Sequence, residues 1–327
     1  MILLSNKTRV IGVDITLART TCAVVDIRGE VIATRQFSTD NYPNISEYVS
    51  ALTAEILALV EANGGYEMIR SVGISSPSGN FRTGCIENAP NMPWKGIVPL
   101  AAMLRDRLGL AVALANNAHV TALGEQAFGA AHGMRNFVVI SIGHGLGSCI
   151  FSNGVAHLGA DGFAGEVGHT CAIPNGRECG CGKRGCLETY VAANGVVRTA
   201  CEVLEEHPDE PSRMREAENL TPLDIFNFCE EGDELAIETF RRAGHSLGVG
   251  LANYASVLNP EAFIFTGGVS HAGKWLLEPA YEAFNAHVFH NIEGKVNFIL
   301  SSLDNHIRNV LGASVLAWTV QEYSLFK

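Results

Sequence analysis

The chain has 327 residues, of which 47% are hydrophobic and 17% are charged, and its 34 acidic and 23 basic side chains give a formal net charge of −11. This apolar content excludes a disordered chain, and the length predicts two domains rather than one core. The acidic balance argues against direct nucleic-acid binding, because the basic footprint that would neutralise phosphates is missing.

The chain shows no sign of export or membrane insertion. No apolar run is long enough to cross a bilayer, and residues 1–4 are too short a start for a secretion signal. Six of the nine cysteines are scattered without a repeating framework, which is typical of a reducing compartment. We therefore expect a cytoplasmic protein without membrane contact.

The first half of the chain shows strand and helix periodicity in alternation, which predicts an α/β domain. Five strands are predicted, at residues 10–14, 20–26, 31–37, 71–75 and 111–115. One helix is expected to begin at Ser46 as N-cap and another to span residues 100–108. The first domain is predicted to comprise residues 1–115.

The second half is predicted to form another α/β domain, over residues 116–305. A helix capped by Asn116 or Asn117 is expected to run to about residue 131. Further strands are predicted at residues 136–142, 148–151 and 262–266, a long helix at 233–258, and a solvated connection at 205–219. A final helix at 308–320, within a terminal segment of about 306–327, is expected to pack on the first domain.

One short segment carries four metal-ligating side chains, His169, Cys179, Cys181 and Cys186. A closed set of one histidine and three cysteines is typical of a structural zinc site. Glycines at 180, 182 and 185 allow the segment to fold tightly around an ion. The alternative is three reduced thiols beside an unrelated histidine.

Several segments together resemble the ROK family of sugar kinases and sugar-responsive repressors, over nearly the whole chain. They are the zinc segment, the glycine turn at 143–147, Ala-Pro-Asn-Met-Pro at 89–93, and Phe-Thr-Gly-Gly-Val-Ser at 265–270. The resemblance implies the actin-like, ribonuclease-H-like sugar kinase fold, with two α/β domains hinged around a central cleft for sugar and nucleotide. It also implies a homodimer.

The resemblance implies a pocket for the hydroxyl groups of a sugar. Its residues are predicted to be Asn91, Asn116, Asn117, Glu166, His169 and Glu188. If zinc fixes His169 and Cys186, both glutamates lie within three residues of a rigid anchor. His169 then serves metal and sugar together, so its two ring nitrogens must be divided between them. Alternatively, Glu188 merely caps a helix and Glu166 is a solvated acid.

The phosphate-binding side departs from the family pattern. The family begins with Asp-x-Gly-Gly-Thr-Lys, whereas residues 14–19 read Asp14-Ile-Thr-Leu-Ala-Arg19, so both glycines are lost. Leu17 is bulky where backbone should approach phosphate, although Arg19 keeps a positive charge. In the second loop Gly143 and Gly145 remain, but His144 replaces a threonine.

Two further features concern the nucleotide and the reacting proton. Gly267 and Gly268 match the adenosine-side motif, although such a pair also simply ends many strands. Asn117 stands at the position of the catalytic aspartate, and losing a general base typically costs about 10²- to 10⁴-fold in rate. Two alternatives stay open: that His119 replaces the base, and that Asn117 is only an N-cap.

We therefore predict a protein that binds a hexose or N-acetylhexosamine with weak or lost phosphoryl transfer, in effect a glucokinase-like pseudokinase with structural zinc. The alternative is an active kinase that uses ATP and Mg²⁺ to phosphorylate the sugar's hydroxymethyl group. ATP and Mg²⁺ are cofactors only under that alternative. A repressor is not expected, because thirteen residues before Asp14 leave no room for a winged-helix domain.

Overall fold

The computed structural model describes residues 7–89, 92–305 and 307–320. The strands in these ranges are β1 (Arg9–Ile15), β2 (Arg19–Asp26), β3 (Val31–Ser38), β4 (Ile69–Ser76), β5 (Gly79–Asn80), β6 (Cys85–Glu87), β7 (Ile97–Val98), β8 (Ala111–Asn116), β9 (Phe137–Ile142), β10 (Leu146–Ser152), β11 (Val155–Ala156), β12 (Ala262–Thr266) and β13 (Asn297–Leu300). The α-helices are α1 (Ile45–Ala62), α2 (Leu100–Leu108), α3 (Asn117–Phe128), α4 (Glu188–Val191), α5 (Ala193–Glu206), α6 (Pro222–Glu230), α7 (Glu234–Leu258), α8 (Lys274–His287) and α9 (Arg308–Thr319). No helix in the described part of the chain is long and apolar enough to cross a membrane.

The chain divides into two compact units. The first consists of Met1–His132, Gly159–Phe163 and Ser302–Lys327, and the second of Gly133–Leu158 and Ala164–Ser301. This division differs from the predicted boundary at residue 115, because α3 packs against α9 within the first unit. Thr121 on α3 donates a hydrogen bond to Asn309 on α9, with 3.0 Å between Oγ1 and Oδ1.

The first unit is built on a five-stranded sheet in the order β3-β2-β1-β4-β8. Strands β1, β2 and β3 pair antiparallel in succession, whereas β1–β4 and β4–β8 pair parallel. The β2–β3 hairpin turns at Gly29, whose φ is +84°, and the Asp26 carboxylate accepts the Arg28 and Glu30 amides. Short side-chain hydrogen bonds therefore produce the predicted turn at residues 27–30.

The second unit repeats this strand pattern, although the sequence shows no tandem repeat. Its sheet has the order β11-β10-β9-β12-β13. Again three strands form an antiparallel meander, and the first of them, β9, pairs parallel with β12, which pairs parallel with β13. Two α/β units of this strand order are the arrangement expected for the ribonuclease-H-like fold.

Helix α9 lies directly on glycines of the first sheet. A Cβ atom on Gly12 of β1 would stand 2.4 Å from the Val310 carbonyl oxygen, and one on Gly73 of β4 would stand 2.0 Å from that of Ala313. Only glycine permits this approach, so helix backbone packs on strand backbone. The C-terminal helix is thereby an integral layer of the first unit.

The structure corrects several predicted elements. Helix α1 is capped by Asn44 rather than Ser46, because the Asn44 side chain accepts the Ser46 amide. Helix α3 ends at Phe128 instead of residue 131, since Gly129 leaves the helical conformation. The stretch 205–219 is not wholly solvated: α5 extends into it, and Met214 is only 2% exposed.

Some elements have no counterpart in the prediction. They are strands β5, β6, β7, β11 and β13 and helices α4, α5, α6 and α8. All five of these strands and α4 have four residues or fewer, too few for periodicity to show.

The close packing of α9 on the glycines of the first sheet leads to a prediction about stability. Gly73→Ala is expected to lower the free energy of unfolding by about 2 kcal/mol or more, because the added methyl group overlaps the backbone of α9. Gly124→Ala on α3 is the matched control, since its Cβ would come no closer than 3.4 Å to the same helix. Alanine favours a helix over glycine by about 1 kcal/mol, so the control should be neutral or stabilising in urea denaturation. Equal effects of the two substitutions would contradict the close packing.

Candidate functional site

Four side chains of one loop converge within the second unit. The ligating atoms of His169, Cys179, Cys181 and Cys186 all lie within 4.8 Å of one another. Cys179 Sγ is 3.7 Å from His169 Nδ1, and Cys181 Sγ is 3.6 Å from Cys186 Sγ. Corners of a tetrahedron around zinc are about 3.6 to 3.8 Å apart for nitrogen and sulfur ligands. The donor set and its spacing therefore fit zinc.

Glycines shape the loop that carries these ligands. Gly182 and Gly185 have φ values of +87° and +79°, which other L residues rarely adopt. A Cβ on Gly185 would also stand 1.8 Å from the Ile173 carbonyl oxygen. The Cys179 amide donates to the Lys183 carbonyl at 2.9 Å and closes the turn. The glycines singled out in the sequence thus allow the ligands to meet, except that Gly180 has open space around it.

Arg177 anchors this loop to the helices that follow, and sequence reasoning missed it. The residue is buried, and its Nη1 donates to the carbonyls of Thr189 at 2.7 Å and Gly195 at 3.0 Å. Nη2 pairs with the Glu202 carboxylate at 2.5 Å, and the guanidinium lies 4.6 Å from the Tyr190 ring centroid. A lone arginine in a polar loop shows no pattern that could have revealed this role.

Glu188 contacts both the glycine turn at 143–147 and one of the four candidate metal ligands. Its Oε2 accepts the Leu146 amide at 2.8 Å, and its Oε1 is 3.9 Å from Cys179 Sγ. A Cβ on Gly145 would stand 2.7 Å from Oε2, so the turn needs glycine there. Glu188 begins α4, and the side-chain contact with Leu146 excludes a mere helix-capping role for it.

Glu166 and His169 stand at the two ends of one short turn. Ser148 holds this turn: its Oγ donates to the Gly165 carbonyl and accepts the Val167 amide at 3.3 Å. Partial desolvation raises the pKa of Glu166, the Glu188 charge raises it further, and His169 opposes both. With Nδ1 of His169 facing the cysteines, Nε2 is left for a second partner. This arrangement is the one that a shared role of His169 in metal and sugar binding would require.

In the first unit the two adjacent asparagines have different roles. Asn116 is the N-cap of α3, because its Oδ1 accepts the His119 amide at 2.9 Å. Asn117 is the first helical residue, and its Oδ1 accepts the Ser75 hydroxyl at 3.0 Å. Asn117 is therefore not an N-cap. Asn91 lies outside the described residues.

The surroundings of His119 make it a poor candidate for a general base. Its side chain is 8% exposed and packs edge-on against Phe81, with 5.7 Å between ring centroids. Burial lowers the pKa of His119 to about 4. A ring that binds protons so weakly at neutral pH is a poor general base.

The turn at residues 16–19, which stands at the position of the family's first phosphate loop by resemblance, is closed by its own hydrogen bonds. The Thr16 amide donates to the Arg19 carbonyl at 2.9 Å, and the Arg19 amide donates to Thr16 Oγ1 at 3.0 Å. Leu17 stands at the tip, 48% exposed. Two amides that could approach a phosphate are thus already engaged within the turn.

Asp14 has a buried carboxylate oxygen, Oδ1, that is left without a hydrogen-bond partner among the described residues. Burial raises the pKa of Asp14, and Ser75, Asn309 and Arg19 counteract this effect only in part. An orphaned carboxylate oxygen fits Mg²⁺ or a water molecule that Mg²⁺ holds.

A cavity of about 490 Å³ lies beside the glycine turn at residues 143–147. Gly143, His144 and Gly268 line it together with apolar side chains such as Leu223 and Phe226. Gly267, with φ of +91°, is required because its Cβ would stand 2.4 Å from the Ile142 carbonyl oxygen. Gly268 has open space around it, so it presents bare backbone to the cavity.

The four candidate metal ligands predict how much zinc the protein contains. We expect about one zinc ion per chain by plasma mass spectrometry, and nearly none in Cys186→Ser, because three ligands hold zinc far less tightly than four. Cys171→Ser is the control, since Cys171 is exposed and outside the cluster. Wild-type protein without stoichiometric metal, or equal loss in the control, would overturn the assignment.

Comparison with known proteins identifies the family of this chain. The ROK family's sequence profile matches residues 10–320. A glucokinase from Halalkalibacterium halodurans is 32% identical over 321 residues, which cover 95% of this chain and 94% of that protein.

Two solved structures are similar over most of the chain. A ROK family glucokinase from Streptomyces griseus in complex with glucose and AMPPNP is 30% identical, with a TM-score of 0.77 over 95% of this chain and 100% of that chain. A ROK family transcriptional regulator, a homolog of the E. coli MLC protein, is 25% identical, with a TM-score of 0.83 over 94% of this chain and 77% of that chain. These matches confirm the actin-like, ribonuclease-H-like α/β fold. The chain belongs to the ROK family.

Proposed function

We propose that this ROK protein binds a hexose or N-acetylhexosamine and transfers phosphate to it weakly or not at all. The observation that carries the proposal is the amide at residue 117. Its Oδ1 accepts the Ser75 hydroxyl, so Nδ2 is the side-chain atom left to donate a hydrogen bond to a ligand. Asn117 can therefore donate a hydrogen bond to the oxygen of a sugar hydroxyl, but it cannot take the hydroxyl proton.

Three groups of the second unit support sugar binding. Glu166 and Glu188 offer carboxylate oxygens to hydroxyl donors, and His169 Nε2 can donate once Nδ1 is bound to metal. Each is held by backbone contacts or by the metal loop, so little side-chain entropy is lost on binding. We place Asn116 and Asn91 in the same pocket on the family resemblance.

The nucleotide side supports binding more than transfer. The cavity beside Gly143 and Gly268 has room and apolar walls for a nucleoside base. Asp14 would hold Mg²⁺, and Arg19 keeps a cation near the phosphates. ATP with Mg²⁺, when bound, supplies a γ-phosphoryl group whose charge the metal neutralises. The closed turn at Thr16 leaves fewer amides for that charge.

The second candidate is an active ATP-dependent sugar kinase. The glucokinase relative and the structure with glucose and AMPPNP favour it, together with the cavity of the second unit. In-line transfer to the hydroxymethyl oxygen would then proceed with the proton lost to solvent instead of to residue 117.

A homodimer remains a prediction of the family resemblance, and a cytoplasmic location remains a prediction from the cysteine usage and the lack of an export signal. A soluble sugar is the partner that both candidate functions share. Light scattering during size-exclusion chromatography measures the oligomeric state directly.

The two candidates differ in the effect of Asn117→Asp. We expect ADP release from the wild-type protein to be near background over a hexose panel, and the variant to be about 10²- to 10⁴-fold faster, because a carboxylate restores the base. Asn153→Asp adds the same charge at an exposed turn and should leave the rate unchanged. Wild-type turnover of several per second would reject lost catalysis and establish the active kinase.

The contact between Gly145 and Glu188 gives a test of the sugar pocket. Gly145→Ala should weaken sugar binding about tenfold, because the methyl group displaces the Glu188 carboxylate. Gly180→Ala is the matched control, since no atom lies within 4 Å of its Cβ position. Calorimetric titration with glucose, mannose and their N-acetylamino forms measures both. If both variants bind sugar with equal affinity, Glu188 is not part of the sugar pocket.

A further inference from the structure

The segment Gly159–Phe163 is unusual because it belongs to the first unit, while the residues before and after it belong to the second. We call it the crossing loop. Glu166, a proposed sugar ligand, follows three residues after its end. The position of the crossing loop therefore constrains where the backbone can place Glu166.

Two residues of the β5–β6 hairpin hold the crossing loop. Asn80 Nδ2 donates to the Asp161 carbonyl at 2.9 Å, and Arg82 Nη2 donates to the Gly159 carbonyl at 2.7 Å. Asn80 is 2% exposed, and its Oδ1 accepts the Arg82 amide at 2.9 Å. One buried amide thus orients both its own loop contact and the arginine beside it.

The crossing loop is shaped to receive this hairpin. Gly162 has a φ of +90°, and a Cβ there would stand 2.5 Å from Asn80 Oδ1. Both carbonyls that the hairpin binds belong to loop backbone, so the fit does not depend on the loop's side chains. Just beyond the loop, Ala164 donates from its amide to the Leu158 carbonyl at 3.2 Å. This hydrogen bond joins the two ends of the crossing loop, and the chain then enters the turn that carries Glu166.

The same hairpin turn also contacts the helix of the altered catalytic position. Phe81, between Asn80 and Arg82, packs against His119, which lies two residues after Asn117 on α3. This contact gives buried His119 a structural purpose that the proposed chemistry does not require. Three consecutive hairpin residues therefore contact α3 on one side and the crossing loop on the other.

We propose that Asn80 and Arg82 are positioning residues for sugar binding, which hold the crossing loop so that Glu166 meets the sugar. This inference rests on the proposed sugar-binding function of Glu166. Neither residue is assigned a contact with sugar, nucleotide or metal. Their effect passes through the backbone of residues 159–166.

Arg82→Ala tests the inference, because Arg82 is exposed and its loss should leave the fold intact. We expect the dissociation constant for glucose or N-acetylglucosamine to rise about tenfold, with zinc content and melting temperature unchanged. Arg28→Ala is the matched control, an exposed arginine on the β2–β3 turn of the same unit. Arg82→Lys should recover part of the affinity, since an ammonium can still donate to the Gly159 carbonyl.

Asn80→Asp gives an independent measurement. It keeps the acceptor for the Arg82 amide and removes the donor to Asp161, so a similar loss of sugar affinity is expected. If the wild-type protein binds sugar and both variants bind it with the same affinity, the positioning role alone is overturned. A fall in melting temperature and zinc content that parallels the affinity loss would also overturn it. A wild-type protein that binds no sugar in the panel would reject the proposed function itself, and this inference with it.

Discussion

The position of Glu188 between two loops is the constraint on which the candidate site depends. Its carboxylate accepts the Leu146 amide of the glycine turn and faces a cysteine of the metal cluster. Because both loops must fit one side chain, the turn requires glycine at 145, and the metal loop requires the anchor that Arg177 provides. A rigid carboxylate suits a polyol ligand, because an acceptor that is already fixed loses little side-chain entropy when it binds a hydroxyl.

The two halves of the proposed chemistry differ in how far they depend on ionisable groups. Sugar recognition needs hydrogen-bond donors and acceptors in fixed places, and an amide at residue 117 serves it as well as a carboxylate would. Proton removal needs a group that can change its charge, and neither Asn117 nor the buried His119 does so near neutral pH. Under the proposed function, an amide in place of a carboxylate at residue 117 would keep sugar binding and lose proton removal.

Much of the fold could be predicted because its signals are local. The apolar faces of α1 and α7, the strands β1 to β4 and the hairpin at Gly29 follow from periodicity and turn residues within a few positions. Helix α4 is too short for a period, and the boundary after His132 reflects packing of α3 on the glycine-lined side of α9. The hairpin contacts to the crossing loop join residues 81 and 77 positions apart, where no local pattern can reveal them.

The sequence by itself determined the chemical identity of the groups: the four metal ligands with their glycines, the two glutamates, the lost phosphate-loop glycines and the asparagine at 117. Ligand type and short spacing carry that information, because metal coordination and tight turns depend on neighbouring residues. Only the tertiary structure decided how these groups are oriented. Ser75 donates to Asn117, Leu146 donates to Glu188, and Asn80 and Arg82 donate to carbonyls of the crossing loop. Each contact joins residues far apart in the chain. A hydrogen bond depends on distance and direction in space, so which atom of a side chain is left for a ligand is set by folding.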